Sequence, residues 1–429
     1  MPVNQDLARQ VLDQIDPDEV ARLCFDLVSI PSPTGEEAGV ADYMLSWYRA
    51  NGLQAIRQEV EPDRPNAVGI LRGSDQGLSL MFNGHMDTSF TGTAADLRMV
   101  GEVESDEVVA PAIEDGKVRG LGASNMKGGL AAFMSAARAL KRSGAVLRGD
   151  TILAGVVGEI SRTPVAAYQS RNYRGEGIGT RHLLTHGIHS DYAVCCDGSD
   201  LNIVWAQVGV VDVKITTYGR AQAAWGTKRA EFPPIKLNAI TKMIKVAEAL
   251  DTWAERFEEE HIYQAKTGPI RPKVNIGAIE GGAPYRPNYF AGVCSLYVDI
   301  RIPPELRPVT VLNEMRQALA PLGIEYDLEP YRSLLGHEGK NVEPLVEVLE
   351  GINQHLFGQP LKAEESQRAS IWTDTNVYNE MGIPCVKLGP RGKRNYPRAE
   401  EIAVDSIVKA AQIYALAALD ICNRPCGSA

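Results

Sequence analysis

Four residues of this chain have types and positions suited to chemistry. His85 and Asp87 stand one residue apart in Gly84-His85-Met86-Asp87-Thr88, at the end of the apolar run LSLMFNG. Glu159 follows the apolar run TILAGVVG, and Asp197 follows DYAVCC. An imidazole and carboxylates gathered at strand ends are what a divalent-ion site with a general base requires. Glu159 is the hardest of the four to dismiss, because a carboxylate ending an apolar strand must be paired, solvated in a cleft or shifted in pKa. The others also have plainer readings. A lone histidine after a strand is usually a satisfied side chain, Asp87 suits a turn, and Asp197-Gly198 is a turn signal in itself.

Two further clusters carry charge. The segment RNYRGEGIGTRH holds Arg171, Arg174 and Arg181 among glycines. It reads as a solvated loop or as a carboxylate-binding loop. Its GEGIG part lacks the strand-turn-helix context of a phosphate site. The run ERFEEEH reads as a solvated helix face.

The elements that must position these residues follow from hydrophobic period. QAIRQEV, NAVGILRG and LSLMFNG read as strands, MKGGLAAFMSAARALKRSG as a helix, and TILAGVVGEI and DYAVCCDG as further strands. Strands alternating with helices imply a mostly parallel, helix-covered sheet, with ligands beyond the carboxyl ends of its strands. Near residue 207 the texture changes. The strand VGVVDVKITTYGR, a long helix NAITKMIKVAEALDTWAERFEEE, the strands KVNIGAIEGG and CSLYVDIRI, and the helix VTVLNEMRQALAPLG form an α+β insertion. The α/β texture then resumes, with PCVKLGP as a strand and VDSIVKAAQIYALAALDIC as a closing helix. The expected fold class is α/β, with a catalytic domain in two parts (1–206 and 334–429) and an inserted smaller α+β domain at 207–333.

Bulk properties exclude several partners. With 429 residues, two domains are the default. A net charge of −10 argues against nucleic acid or an anionic membrane as the main partner. No apolar run is long enough to span a bilayer. The 7 cysteines are scattered, with no CxxC pair, and fit reduced, buried thiols of a cytoplasmic protein.

The chain resembles the metallohydrolase family of acetylornithine deacetylase, succinyl-diaminopimelate desuccinylase, glutamate carboxypeptidase and aminoacylase. GHMDT, GLGASNMKGGLAAFM, GEI, GIGTRHLLTHG with Asp191 and Asp197, WTDTNVYNEMGIPCVKLGP and PRAEEI carry the resemblance over nearly the whole length. It implies that the inserted domain is a lid that often dimerises. It also implies two metal ions bridged by an aspartate, a Glu-Glu pair whose first member is the base, and a C-terminal histidine ligand.

The sequence departs from that pattern. Asn125 stands at the bridging aspartate, Ile160 at the second glutamate and Tyr396 at the C-terminal histidine, and the lid histidine is replaced near Ala223 or Ala224. The resemblance therefore implies one divalent ion per chain, of Mn, Zn or Co type, weakly held by His85, Asp197 and Asn125. Glu159 would be the base and Asp87 would aim the histidine. Trp225, Tyr285, Arg286, Asn288, Arg301 and Tyr396 are candidates for substrate contact, though each alone is more often structural.

The expected reaction is metal-assisted hydrolysis of a C–N bond in a small molecule, one bearing a carboxylate. The incomplete shell and a chelating substrate make an aminohydrolase of an aromatic ortho-amino acid, such as 5-nitroanthranilate, the specific expectation. A deacylase, aminoacylase or dipeptidase acting on an amide is the alternative. Two others stay open: a silent binding protein on the same fold, and a two-metal peptidase with ligands relocated to Glu400 or His337. A homodimer or higher homo-oligomer is expected.

Overall fold

The computed structural model describes residues 5–426 apart from 94–95, 97–98, 100, 102–109, 232, 365–370 and 396–398. Contacts divide the chain into two compact units. One is Met1–Trp205, Gly339–Glu364 and Thr373–Ala429, and the other is Ala206–Glu338 with Glu365–Trp372.

The first unit begins with helices α1 (Gln5–Leu12), α2 (Pro17–Val28) and α3 (Ala38–Ala50). Strands β1 (Gln54–Glu61), β2 (Arg64–Leu71) and β3 (Leu80–His85) follow. The short strands β4 (Ala112–Glu114) and β5 (Lys117–Arg119) lead to helix α4 (Gly128–Arg142). Then come β6 (Thr151–Val156), α5 (Ile178–Thr185) and β7 (Tyr192–Cys195).

The second unit contains β8 (Gly209–Tyr218), α6 (Ala239–Glu260), β9 (Lys273–Gly281), β10 (Val293–Ile302), α7 (Pro308–Leu319) and β11 (Tyr326–Leu334). All its sheet pairings are antiparallel, in the order β9-β10-β8-β11. The inward residues Val211, Val213 and Ile215 of β8 and Leu296, Val298 and Ile300 of β10 alternate with polar ones. They bury against Met243, Val246, Leu250, Trp253 and Phe257 of α6. That alternation is the mark of a sheet with one covered face. Strand β11 was not expected from the sequence, because YDLEPYRSL carries charge and proline where a strand signal is sought.

The chain then returns to the first unit through α8 (Glu343–Phe357), α9 (Thr375–Glu380), β12 (Cys385–Lys387), β13 (Lys393–Asn395), β14 (Ala399–Ala403) and α10 (Val404–Ile421). The main sheet has the order β1-β2-β6-β3-β7-β12. Pairings β6–β3, β3–β7 and β7–β12 are parallel, whereas β1–β2 and β2–β6 are antiparallel. The sheet is therefore mixed: a tight hairpin at Pro62-Asp63, with Asp63 at φ 60°, turns β2 back along β1.

Strands β3 and β6 are buried along their full length, which is why they read as unbroken apolar runs. Helix α4 lies so close to the sheet that small residues are obligatory. A Cβ on Gly129 would sit 2.3 Å from the Cys196 carbonyl oxygen, and one on Gly84 would sit 2.6 Å from the Met126 side chain. Among the described residues no helix is long and apolar enough to cross a membrane. All seven cysteines are unpaired, and only Cys426 is exposed.

Candidate active site

Register brings the functional residues to one edge. His85 of β3 pairs with Val156 of β6, and Asn83 pairs with Cys195 of β7, so the three parallel strands end together. The chain beyond β6 turns at Gly158, whose φ of +63° suits a residue without Cβ, and delivers Glu159 off the sheet end. TILAGVVGEI is thus a strand only as far as Val156. Asp197 leaves β7 in the same way. His85, Asp87, Asn125, Glu159 and Asp197 are all buried.

Nδ1 of His85 lies 3.0 Å from the Asp87 carbonyl oxygen and 3.5 Å from its carboxylate Oδ1. Nε2 faces two further acceptors, Asn125 Oδ1 at 3.3 Å and Glu159 Oε2 at 3.5 Å, so both ring nitrogens donate here and a cation at Nε2 would take the place of its proton. A histidine oriented through its second nitrogen is the usual setting of a metal ligand.

Asp87 does more than aim the ring. Its Oδ1 accepts the Glu159 N–H at 3.1 Å, and its Oδ2 accepts the Ile160 N–H at 3.1 Å and the Thr34 hydroxyl at 2.9 Å. Burial would raise its pKa, but His85 and these donors outweigh burial and hold it below the ordinary carboxylate range. Asp197 accepts the Gly198 N–H at 2.6 Å, and Lys387 followed by His85 hold its acid low against burial. Lys387 is fully buried and pairs with Glu364 at 3.1 Å. Glu364 also takes Arg391, which donates to the Gly198 carbonyl at 2.6 Å. Asn125 is held from behind by Glu400, whose Oε2 accepts the backbone N–H groups of Ser124 and Asn125 at 2.9 and 2.8 Å. The small sheet β13-β14-β5-β4 brings that glutamate to the loop before α4.

The donor set suits a cation. Burial pulls the His85 imidazole down, but Glu159, Asp87 and Asp197 outweigh it and push the ring up to about 10. Burial first, then the charges of Asp374, Asp197 and Asp87, drive the Glu159 acid well above its ordinary value. The site is an excess of buried negative charge that a divalent ion would neutralise. Among the described residues no three His, Cys, Asp or Glu side chains gather at ligand spacing. The shell would accordingly combine His85 and Asp197 with the neutral oxygen of Asn125. A second ion finds no ligand in Ile160, and Glu400 is engaged by backbone. His337 belongs to the second unit, and Tyr396 lies outside the described residues.

The candidate contact residues Trp225, Tyr285, Arg286, Asn288 and Arg301 belong to the second unit. Four of them share one end of it. The Asn288 carbonyl accepts the Ala224 N–H at 2.9 Å, and Arg286 lies over the Tyr289 ring at 5.4 Å. Arg301 does not join them, since it sits at the far end of β10, bonded to Asp299 at 2.7 Å. The arginine-rich segment is structural. Arg174 pairs with Glu61, Arg171 donates to the Pro62 carbonyl at 2.7 Å, and Arg181 pairs with Glu380 at 2.8 Å.

Known proteins resemble this chain over most of its length. The family described as Peptidase family M20/M25/M40 matches residues 81–420. The chain belongs to that family. This M20-family chain is similar to N-formyl-4-amino-5-aminomethyl-2-methylpyrimidine deformylases. One, from Halalkalibacterium halodurans, is 28% identical over 410 residues, 87% of each chain. Another, from Bacillus subtilis, is 26% identical over 439 residues, 95% of each chain. Human carnosine dipeptidase 1 has the same fold, with a TM-score of 0.72 at 13% identity over 98% of this chain and all of that one. The M20 enzyme is a metal-dependent hydrolase of amide C–N bonds. The aromatic aminohydrolase expectation gains nothing from these relatives, and the deacylase alternative fits them better.

Sequence reasoning missed Asp374, a buried acid beside this site. It stands inside WTDTNVYNEMGIPCVKLGP, between two threonines ahead of a short helix, and an acid before a helix reads locally as a cap.

Proposed function

We propose that this M20 enzyme is a deacylase that removes a short acyl group, formyl foremost, from a primary amine. The observation that carries the reading is Glu159 set 3.5 Å from the metal-facing nitrogen of His85, with its backbone anchored by Asp87. The two deformylase relatives support the acyl group.

His85, Asp197 and Asn125 would hold one divalent ion. Bound there, it supplies Lewis acidity to the scissile carbonyl and makes water more acidic. Glu159 takes a proton from the attacking water as its oxygen bonds to the acyl carbon. The raised pKa of its carboxyl suits it to keep that proton until the C–N bond breaks and then to pass it to the leaving nitrogen. Water and amide thus give a carboxylic acid and an amine. Asp87 keeps imidazole and base in register throughout. The second unit would pair with a second copy through β9, an outer strand exposed over most of its length, with Ile276 and Ile279 on its surface.

The test is product release, as formate, acetate or ammonia, by protein loaded with Mn²⁺, Co²⁺ or Zn²⁺. Candidates are the formamide of 4-amino-5-aminomethyl-2-methylpyrimidine, N-acetylornithine and 5-nitroanthranilate. Turnover of the formamide, abolished by chelation and lowered about 10²–10⁴-fold in Glu159→Gln, is expected. Turnover of 5-nitroanthranilate alone would overturn the reading.

A further inference from the structure

Asp374 precedes α9 and is 1% exposed, yet neither carboxylate oxygen completes a hydrogen bond to a described group, although the Thr180 hydroxyl lies beside it. A buried carboxylate left in that state is destabilising unless a ligand completes it. Its position is fixed by its neighbours. Helix α9 packs against α5, β7 and β12. Asn83, two residues before His85 and so on the same face of β3, donates to Thr180 Oγ1 at 3.0 Å. Asp374 therefore lies on the His85 face of the sheet. Of the carboxylates around Glu159, it is the one whose charge bears most on that acid.

Two coplanar acceptors on one carbon call for two parallel donors on one ligand edge. A ligand carboxylate would be repelled by Asp374, Glu159 and Asp87 together. An alkylammonium could meet both oxygens only by bending across them. A protonated amidine edge presents an exocyclic N–H beside a ring N–H and matches the pair directly, and a neutral edge matches the protonated carboxyl.

We propose that Asp374 is a specificity residue that reads the amidine edge of a 4-aminopyrimidine on the amine half of the substrate. The proposal rests on the deacylase reading, and it adds the class of amine released. Burial holds the Asp374 acid up to about 7, so near neutral pH the shared proton can sit on either partner.

The test compares two formamides with the same aryl-methylamine skeleton, that of 4-amino-5-aminomethyl-2-methylpyrimidine and N-formylbenzylamine. Wild-type protein and the variant Asp374→Leu, which has similar size and no hydrogen-bonding atom, are loaded with the same metal. The readout is the ratio of kcat/KM for the two substrates. The ratio is expected to fall about 10–100-fold in Asp374→Leu, mostly through KM, as for loss of a charged hydrogen bond. An unchanged ratio, whether both activities persist or both fall together, overturns the proposal. Should neither formamide be hydrolysed, the deacylase reading has failed, and calorimetric binding of the free aminopyrimidine amine decides for Asp374 alone. Binding by wild type that weakens at least tenfold in the variant supports it, and equal or absent binding refutes it. Asp374→Ser repeats the comparison if Asp374→Leu does not fold.

Discussion

The carboxylate of Asp87 accepts the backbone N–H of Glu159 at 3.1 Å while its other side faces Nδ1 of His85. One side chain thus sets the His85 ring and the Glu159 turn against each other, with Asp87 and Glu159 72 residues apart in sequence.

Asp87→Asn should therefore weaken both functions. The amide keeps the size but presents a donor where one of the two N–H groups needs an acceptor. Metal affinity is expected to drop about 10–100-fold, as for other residues that orient a ligand. Turnover should stay depressed even at saturating metal, because the Glu159 turn loses its anchor. Equilibrium dialysis with metal analysis measures the first effect and saturation kinetics the second. Full recovery at high metal would show that Asp87 serves the histidine only.

Asn125 tests the single-ion shell. Asn125→Asp adds a charged oxygen 3.3 Å from His85 Nε2 without moving the backbone held by Glu400. Metal should bind about tenfold more tightly or better, since affinity follows ligand charge. The stoichiometry should stay near one, because Ile160 still offers no ligand. Unchanged affinity by calorimetry would remove Asn125 from the shell.

Arg64 is a structural support beneath the base. It is fully buried, bonded to Glu37 at 3.0 and 2.7 Å and to the Arg174 carbonyl at 2.9 Å. It also lies 2.8 Å from where a Gly158 Cβ would project. Arg64→Met leaves Glu37 buried without its counter-charge and should cost about 3–5 kcal/mol of stability. Denaturant melts of the metal-loaded protein check this, and a loss under about 1 kcal/mol would contradict it.

Cysteine reactivity reports the packing of the first unit. Burial pushes the Cys24 and Cys422 thiols up to about 12, leaving them unionised at neutral pH. Only Cys426 is exposed among the 7 cysteines. Native protein should react with one equivalent of a thiol reagent and unfolded protein with seven. Rapid native labelling of a second thiol would mean that the core opens.

His85, Asp87, Glu159 and Asp197 were legible in the sequence because each ends an apolar run, and burial on both faces of a parallel strand forces such a run. The α+β insertion was legible for the complementary reason: one covered face imposes alternation on β8 and β10. The family resemblance also implied that partners of a two-ion site are replaced at Asn125 and Ile160. Tertiary structure alone decided the rest. Glu400 lies 275 residues from Asn125, and Asn83 meets Thr180 across 97. No local pattern encodes such pairings, because hydrogen-bond and charge complementarity act over ångströms in space, whatever the separation along the chain. The same holds for Asp374, whose neighbours read as a helix start until folding sets it, buried beside Thr180, on the face that carries His85.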